Sequence, residues 1–200
     1  MRILIIGANG TIGKKVAASF REKHEIVTAG RNTGDFTVDL SERNSIQRLF
    51  EQVKGIDACI CTAGSGFQGN FQTMTEADLM PALKNKLMGQ VNVVLIGQHF
   101  VNDNSSFTLT SGILADEPAR DAASGAMISG ALNSFTMAAA AELRRGIRIN
   151  VVSPGVVEDS FKDYGPLFPG FNPVPMNKVV NAYLKSTEGV ITGQVIKVYE

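Results

Sequence analysis

The opening residues constrain the fold more than any other part of the chain. Ile3-Leu4-Ile5-Ile6 is an unbroken apolar run rich in β-branched side chains. Such a run reads as a strand buried on both faces, as in a parallel sheet covered by helices. It leads directly into Gly7-Ala8-Asn9-Gly10-Thr11-Ile12-Gly13, with a glycine at every third position. Beyond it, Val16, Ala17 and Phe20 recur at helical spacing, and Lys14, Lys15, Arg21 and Glu22 take the remaining positions. Strand, glycine turn and amphipathic helix, in that order, predict the start of a β-α-β unit.

The alternation continues along the chain. Residues 26–29, 36–38, 56–61, 106–109, 147–152 and 194–198 read as further strands. Ser41 is expected to cap a helix carrying Ile46, Leu49, Phe50 and Val53. Further helical patterns fall at 76–100, 122–143 and 177–184. The pattern predicts an α/β fold: a single Rossmann-type domain over 1–200, with a doubly wound parallel sheet of about seven strands and helices on both faces. The Phe-, Pro- and Gly-rich stretch 154–175 is expected to be a lid loop on the substrate side.

Lys plus Arg and Asp plus Glu are equal at 19 each, which argues against broad electrostatic binding to nucleic acid or to anionic membranes. The cysteines, Cys59 and Cys61, alternate within one predicted strand, so both thiols should point to one face and be buried. No further Cys or clustered His completes a metal set, and none is expected. A reducing, cytoplasmic setting is the expectation. The apolar run at 3–6 is too short for a membrane span or a leader.

The glycine spacing has a specific physical use. Gly7 allows a tight turn after the strand, Gly10 lets the backbone approach a pyrophosphate, and Gly13 lets the helix pack closely on the sheet. The N-terminus of that helix, with Thr11 and Ile12, offers free N–H groups and a positive dipole end to the phosphates. A dinucleotide is therefore the expected ligand. The second strand ends Ala29-Gly30-Arg31-Asn32, with no carboxylate to hold ribose hydroxyls. Arg31 offers a donor fork suited to a 2′-phosphate, so NADP is expected over NAD. Asp39 is either an acceptor for the adenine amine or a plain loop carboxylate.

These motifs, taken in order, resemble the short-chain dehydrogenase/reductase family. Gly7 to Gly13, with Asn9, is similar to its glycine motif, and Asp39-Leu40 to its adenine-contacting segment. Cys61-Thr62-Ala63-Gly64 is similar to a motif after its fourth strand, and Thr110-Ser111-Gly112 falls at its active-site serine. Gly146-Ile147-Arg148-Ile149-Asn150-Val151-Val152-Ser153-Pro154-Gly155 and Thr192-Gly193-Gln194-Val195 resemble its last segments. The resemblance implies that Ala63 and Gly64 admit the nucleotide ribose. It places Pro154, Gly155 and Val157 beside the nicotinamide carboxamide, while Asp159 and Ser160 stand where the family often has Thr. It also implies a homodimer or homotetramer formed through the two long helices.

The family's chemistry is hydride transfer between a nicotinamide and a carbonyl or alcohol. It uses a Ser, a Tyr, a Lys one helical turn later, and an Asn on the preceding helix. A nearby cation is needed to bring a Tyr that titrates near 10 into the neutral range. Here the Tyr position falls on Gly125, the Lys position on Ser129 and the Asn position on Lys86, so only Ser111 remains. One reading is an active enzyme with a rearranged set: Ser111, Lys86 in place of the lost cation, and Tyr164 from the lid as proton donor. Another is an NADP-binding sensor or scaffold without turnover. A third is a structural oligomer with a vestigial site. Phe161, Tyr164, Phe168 and Phe171 suggest a small apolar or aromatic substrate, or else simply close the lid. His24, expected to be exposed, and His99 are assigned no chemistry.

Overall fold

The structure, a computed structural model, describes residues 1–64, 66 and 68–199. Its sheet has seven strands, β1 (Arg2–Ile6), β2 (Glu25–Gly30), β3 (Phe36–Thr37), β4 (Ala58–Cys61), β5 (Ser106–Thr110), β6 (Arg148–Pro154) and β7 (Val195–Val198). All neighbours pair in parallel, in the order β3-β2-β1-β4-β5-β6-β7. The chain winds outward from β1 to β3, then returns to lay β4 against the other side of β1. That reversal opens a crevice between β1 and β4 at the C-terminal ends of the strands, where ligands bind in open α/β sheets.

Period-two alternation divides the core. Leu4, Ile6, Cys59 and Cys61 face one layer, packing with Ile46, Leu49 and Phe50 of α2 (Arg43–Gln52) and Ile128 and Leu132 of α5 (Ala123–Glu142). Ile3, Ile5, Ala58 and Ile60 face the other, with Val16 and Phe20 of α1 (Thr11–Phe20) and Val179 and Tyr183 of α7 (Met176–Glu188). Strands buried on both faces explain why residues 3–6 show no polar alternation. Both cysteines are buried on the same face, as their spacing predicts.

Several boundaries differ from the sequence reading. Ser41 does not cap α2; the N-cap is Glu42, because the Ser41 hydroxyl donates instead to Asp39 Oδ1 at 2.7 Å. The predicted helix at 76–100 is α3 (Glu76–Ala82), a wider π-helical turn (Leu83–Met88) and α4 (Gly89–Gly97). Pro81 lies inside α3 and carries no N–H for the ladder. Such wide turns are frequent at functional sites, and this one carries Lys86. The stretch 154–175 is not a bare loop. It holds α6 (Phe161–Tyr164) between two short 3-10 turns, and a bridge from Val157 to Val174 closes its base. No helix among the described residues is long and apolar enough to cross a membrane.

Candidate active site

The glycine loop lies at the C-terminal end of β1. Its turn is fixed by Gly7 N–H donating to Ala29 O at 2.8 Å and Gly10 N–H donating to Gly7 O at 3.0 Å. At Gly13 a Cβ would sit 2.1 Å from Gly7 O and 2.7 Å from Thr62 Oγ1, so only glycine lets α1 approach this closely. The N-cap of α1 is Gly10, with no capping side chain and no acidic residue in the first turn. The amides of that turn and the positive end of the helix are thus available to an anion. The Asn9 side-chain amide donates to Thr33 Oγ1 at 2.7 Å.

Hollows flank the loop. One, of about 300 Å³, is lined by Gly30, Arg31, Val38, Leu40, Ala63 and Gly64 among others. Asp39 and Asn32 are not part of its wall. Asp39 Oδ1 accepts from Ser41 Oγ and from Ser41 N at 2.9 Å, and Arg31 stands 3.9 Å away. The Ser41 hydrogen bonds, chiefly, with the Arg31 charge hold its carboxyl below the usual range. On the other side lies a larger cavity of about 440 Å³. Its wall combines Ile12, Ser111, Lys86, Gly125, Ser129 and Tyr164 with Pro154, Gly155 and Val157. A glycine turn between two hollows of these sizes has room for a dinucleotide.

Ser111 follows β5 directly. Its N–H donates to Val152 O at 3.0 Å. The preceding residue is held by Gln90, whose amide donates to Thr110 O at 2.9 Å and accepts from Thr110 N at 2.8 Å. Thr110 Oγ1 also donates to Cys61 O at 2.6 Å and meets the Tyr183 hydroxyl at 2.7 Å. The backbone is therefore rigid where Ser111 emerges. Its Oγ is nevertheless buried with no hydrogen-bond partner among the described residues, although the residue lines the cavity. Ser105, Asn133, Thr136 and Thr187 also have a buried side-chain oxygen without a partner among the described residues, but of these five residues only Ser111 lines this cavity.

Lys86 comes from the π-helical turn and is half-buried. Gly64, at φ 106°, presses on its stem: a Cβ there would lie 2.9 Å from Lys86 Cβ. Burial lowers the Lys86 pKa, and the nearby Cys61 thiol opposes the shift. The Cys61 thiol is itself pushed up to about 12 by burial. It is a core group rather than a nucleophile.

Gly125 has its side-chain space already filled. A Cβ there would meet Leu114 Cδ1 at 2.6 Å, and the Gly66 Cβ direction points to Gly125 Cα at 3.4 Å. Ser129, one helical turn later, is buried in the same wall. Tyr164 stands half exposed beside Leu167 and Phe168. Phe161 and Phe171, read from sequence with the lid aromatics, do not line the cavity. The Phe161 ring packs over Gly165, and Phe171 meets Phe168 edge-on at 6.1 Å.

His24 is not the exposed residue expected. Its side chain is only 11% exposed, and Nε2 lies 2.9 Å from Glu188 Oε1. His99 is exposed. Among the described residues no cluster of His, Cys, Asp and Glu could hold a metal ion.

Sequence reasoning missed the Gln90 clip. Its only signal is an amide within the apolar helix Gly89–Gly97. It also missed Asp116, which joins Lys197 at 2.8 Å and the Tyr199 hydroxyl just beyond the cavity wall. Tyr199 in turn reaches Ser153 Oγ at 3.0 Å and is pushed up to about 12, by burial first and then by its bond to Asp116. These partners lie 81 and 83 residues apart in sequence, so no local pattern announces them.

A glycine-turn anion site at the reversal point of a parallel sheet, with a side-chain hydroxyl at the end of β5, defines a Rossmann-type nucleotide-binding protein. The comparisons narrow that class. The family model described as Enoyl-(Acyl carrier protein) reductase matches residues 7–173. The chain is 44% identical to lin1944 of Listeria innocua, covering 100% of both chains with a TM-score of 0.97. It is 26% identical to a small-chain dehydrogenase solved in complex with NADPH, covering 99% of this chain and 96% of that one, TM-score 0.88. Short-chain dehydrogenase/reductase ATR9 of Stachybotrys chlorohalonatus is 29% identical over 184 residues, 76% of this chain and 72% of that protein. The chain belongs to the short-chain dehydrogenase/reductase family of oxidoreductases.

Proposed function

We propose that the protein is an NADP(H)-dependent oxidoreductase for a small carbonyl or alcohol, working without the family's Tyr and Lys. One observation carries this reading: Ser111, whose buried hydroxyl has no partner among the described residues, lines one cavity together with Lys86. The amides after Gly10 hold the pyrophosphate, and Arg31 holds the 2′-phosphate. Gly64 and Ala63 admit the ribose, and Pro154, Gly155 and Val157 form the wall for the nicotinamide. When bound, the nicotinamide supplies or accepts the hydride. Ser111 Oγ donates a hydrogen bond to the substrate oxygen. Lys86 places a positive charge beside the developing alkoxide and delivers its proton, which solvent restores. Tyr164, at the lid edge of the cavity, is a second proton donor. A relative solved with NADPH supports the cofactor assignment.

Consumption of NADPH across a panel of small aldehydes and ketones, beside direct NADPH binding, tests this. Saturable binding without turnover on any substrate overturns the enzyme reading in favour of an NADP(H) sensor or scaffold. A specific observation favours that alternative: Leu114 already fills the space beside Gly125. We also propose a homo-oligomer built on the long helices. Leu95 on α4 and Met127 and Met137 on α5 are exposed apolar side chains there. A sedimentation profile of a lone protomer counts against it.

A further inference from the structure

The cavity carries a charge that nothing in the described chain balances. The ion pairs of the described residues are Arg2–Glu25, Lys15–Asp159, His24–Glu188, Arg31–Asp39, Arg145–Asp103 and Lys197–Asp116. Lys86 is in none of them. No Asp or Glu is among the residues lining the cavity, and Lys86 is its only Lys or Arg among the described ones. A half-buried ammonium without a counter-ion is unfavourable unless something pairs with it. The depressed Lys86 pKa is the same cost seen as a protonation equilibrium.

Resting on the oxidoreductase reading above, we propose that the substrate is a keto acid whose carboxylate adjoins the reacting carbonyl and whose tail is apolar. The carboxylate pairs with Lys86 and the carbonyl oxygen takes the Ser111 hydroxyl. Both residues line one cavity, and an acid with the two groups adjacent is the smallest substrate that offers a carbonyl and a carboxylate together. A single cation matches a monoanion. A phosphate group would leave excess negative charge, with no second Lys or Arg among the described lining residues to meet it. Nicotinamide ribose hydroxyls are neutral and cannot discharge the lysine. Lys86 does not line the hollow on the Arg31 side of the loop. Ile113, Leu114, Leu167 and Phe168 give the remaining wall its apolar character, so the tail is alkyl or aryl. A cavity of about 440 Å³ that also admits a nicotinamide limits it to a short chain or one ring.

The test compares phenylpyruvate with its methyl ester, a pair that differs in the charge. Binding to the protein without cofactor is measured by calorimetry, and NADPH oxidation is measured separately. Wild type, Lys86→Met and Lys86→Gln are used, with melting curves to establish that each variant folds. The acid should bind wild type about fivefold or more tightly than the ester, and both substitutions should remove that preference. Equal binding of acid and ester, no binding of either, or acid binding that survives both substitutions overturns the proposal. Turnover of neutral carbonyls with no preference for the acid also overturns it, while leaving the oxidoreductase reading intact. Lys86-dependent acid binding with no turnover of any carbonyl supports the anion site and instead rejects the oxidoreductase reading.

Discussion

Ser111→Ala should raise the stability of the folded protein while removing most of its turnover. Ser111 is 3% exposed and its Oγ has no hydrogen-bond partner among the described residues. A buried polar atom left unsatisfied costs about 1–3 kcal/mol. Alanine removes that atom and leaves the backbone anchors alone: Ser111 N–H to Val152 O, and the Gln90 clip on Thr110. Loss of one oxygen's packing offsets part of the gain, so about 1 kcal/mol is expected. In a chain of this size that corresponds to a rise in Tm of about 2–4 °C. The assay is a pair of melting curves without cofactor, followed by NADPH turnover on the best carbonyl substrate. Gain of stability with loss of activity is the signature of a side chain kept for function. A fall in Tm would show that the hydroxyl is a structural hydrogen-bonding group. An unchanged rate would reject its role in orienting the substrate.

Gly13→Ala drives a Cβ to within 2.1 Å of the Gly7 carbonyl oxygen. Because that obstacle is backbone, destabilisation of about 3 kcal/mol is expected, a Tm fall of about 6–12 °C, with NADPH binding lost; a near-native melt that retains binding contradicts the close packing described. Arg31→Ala should weaken NADPH by about tenfold or more and NADH little. Its ion pair with Asp39 is long and exposed, so Tm should barely move; equal losses of both cofactors in a binding titration reject the 2′-phosphate role.

The depressed Lys86 pKa predicts a pH profile. A step needing the ammonium is supported at low pH and fails as pH rises through the Lys86 pKa, below the ordinary lysine value of about 10.4. Cys61 on β4 is the titratable neighbour that opposes the shift. Lys86→Met should erase the alkaline limb, and a limb that persists assigns it to another group. Stability moves the opposite way. The folded state binds fewer protons than the unfolded chain between the two pKa values, so this group's penalty is relieved as pH rises through the folded pKa.

Much of the fold was legible because it rests on local patterns. Runs of apolar residues marked strands buried on both faces, and the glycine spacing marked the tight turn and close helix packing after β1. Contacts between distant segments were not legible. Ser41 read as a cap because its distance to the helix suited one, but the Asp39 carboxylate competes for its hydroxyl. The helix at 76–100 read as continuous because apolar spacing does not reveal a change of ladder around Pro81. At the site, Ser111 and Lys86 could be named from sequence, and both line the larger cavity. That Leu114 occupies the space beside Gly125 depends on two segments meeting, and no single window of sequence contains it. The Gln90 clip on Thr110 spans 20 residues and is invisible for the same reason.

The glycine loop is assigned to NADP(H), and Ser111 and Lys86 are assigned its use without a Tyr–Lys pair. The most direct test is one preparation of the full chain titrated with NADPH and NADH, then assayed for NADPH oxidation with small carbonyls, keto acids included. NADPH should bind more tightly than NADH, and oxidation should fall sharply in Ser111→Ala and Lys86→Met. Failure of NADPH to bind saturably, or turnover indifferent to both substitutions, would contradict these assignments.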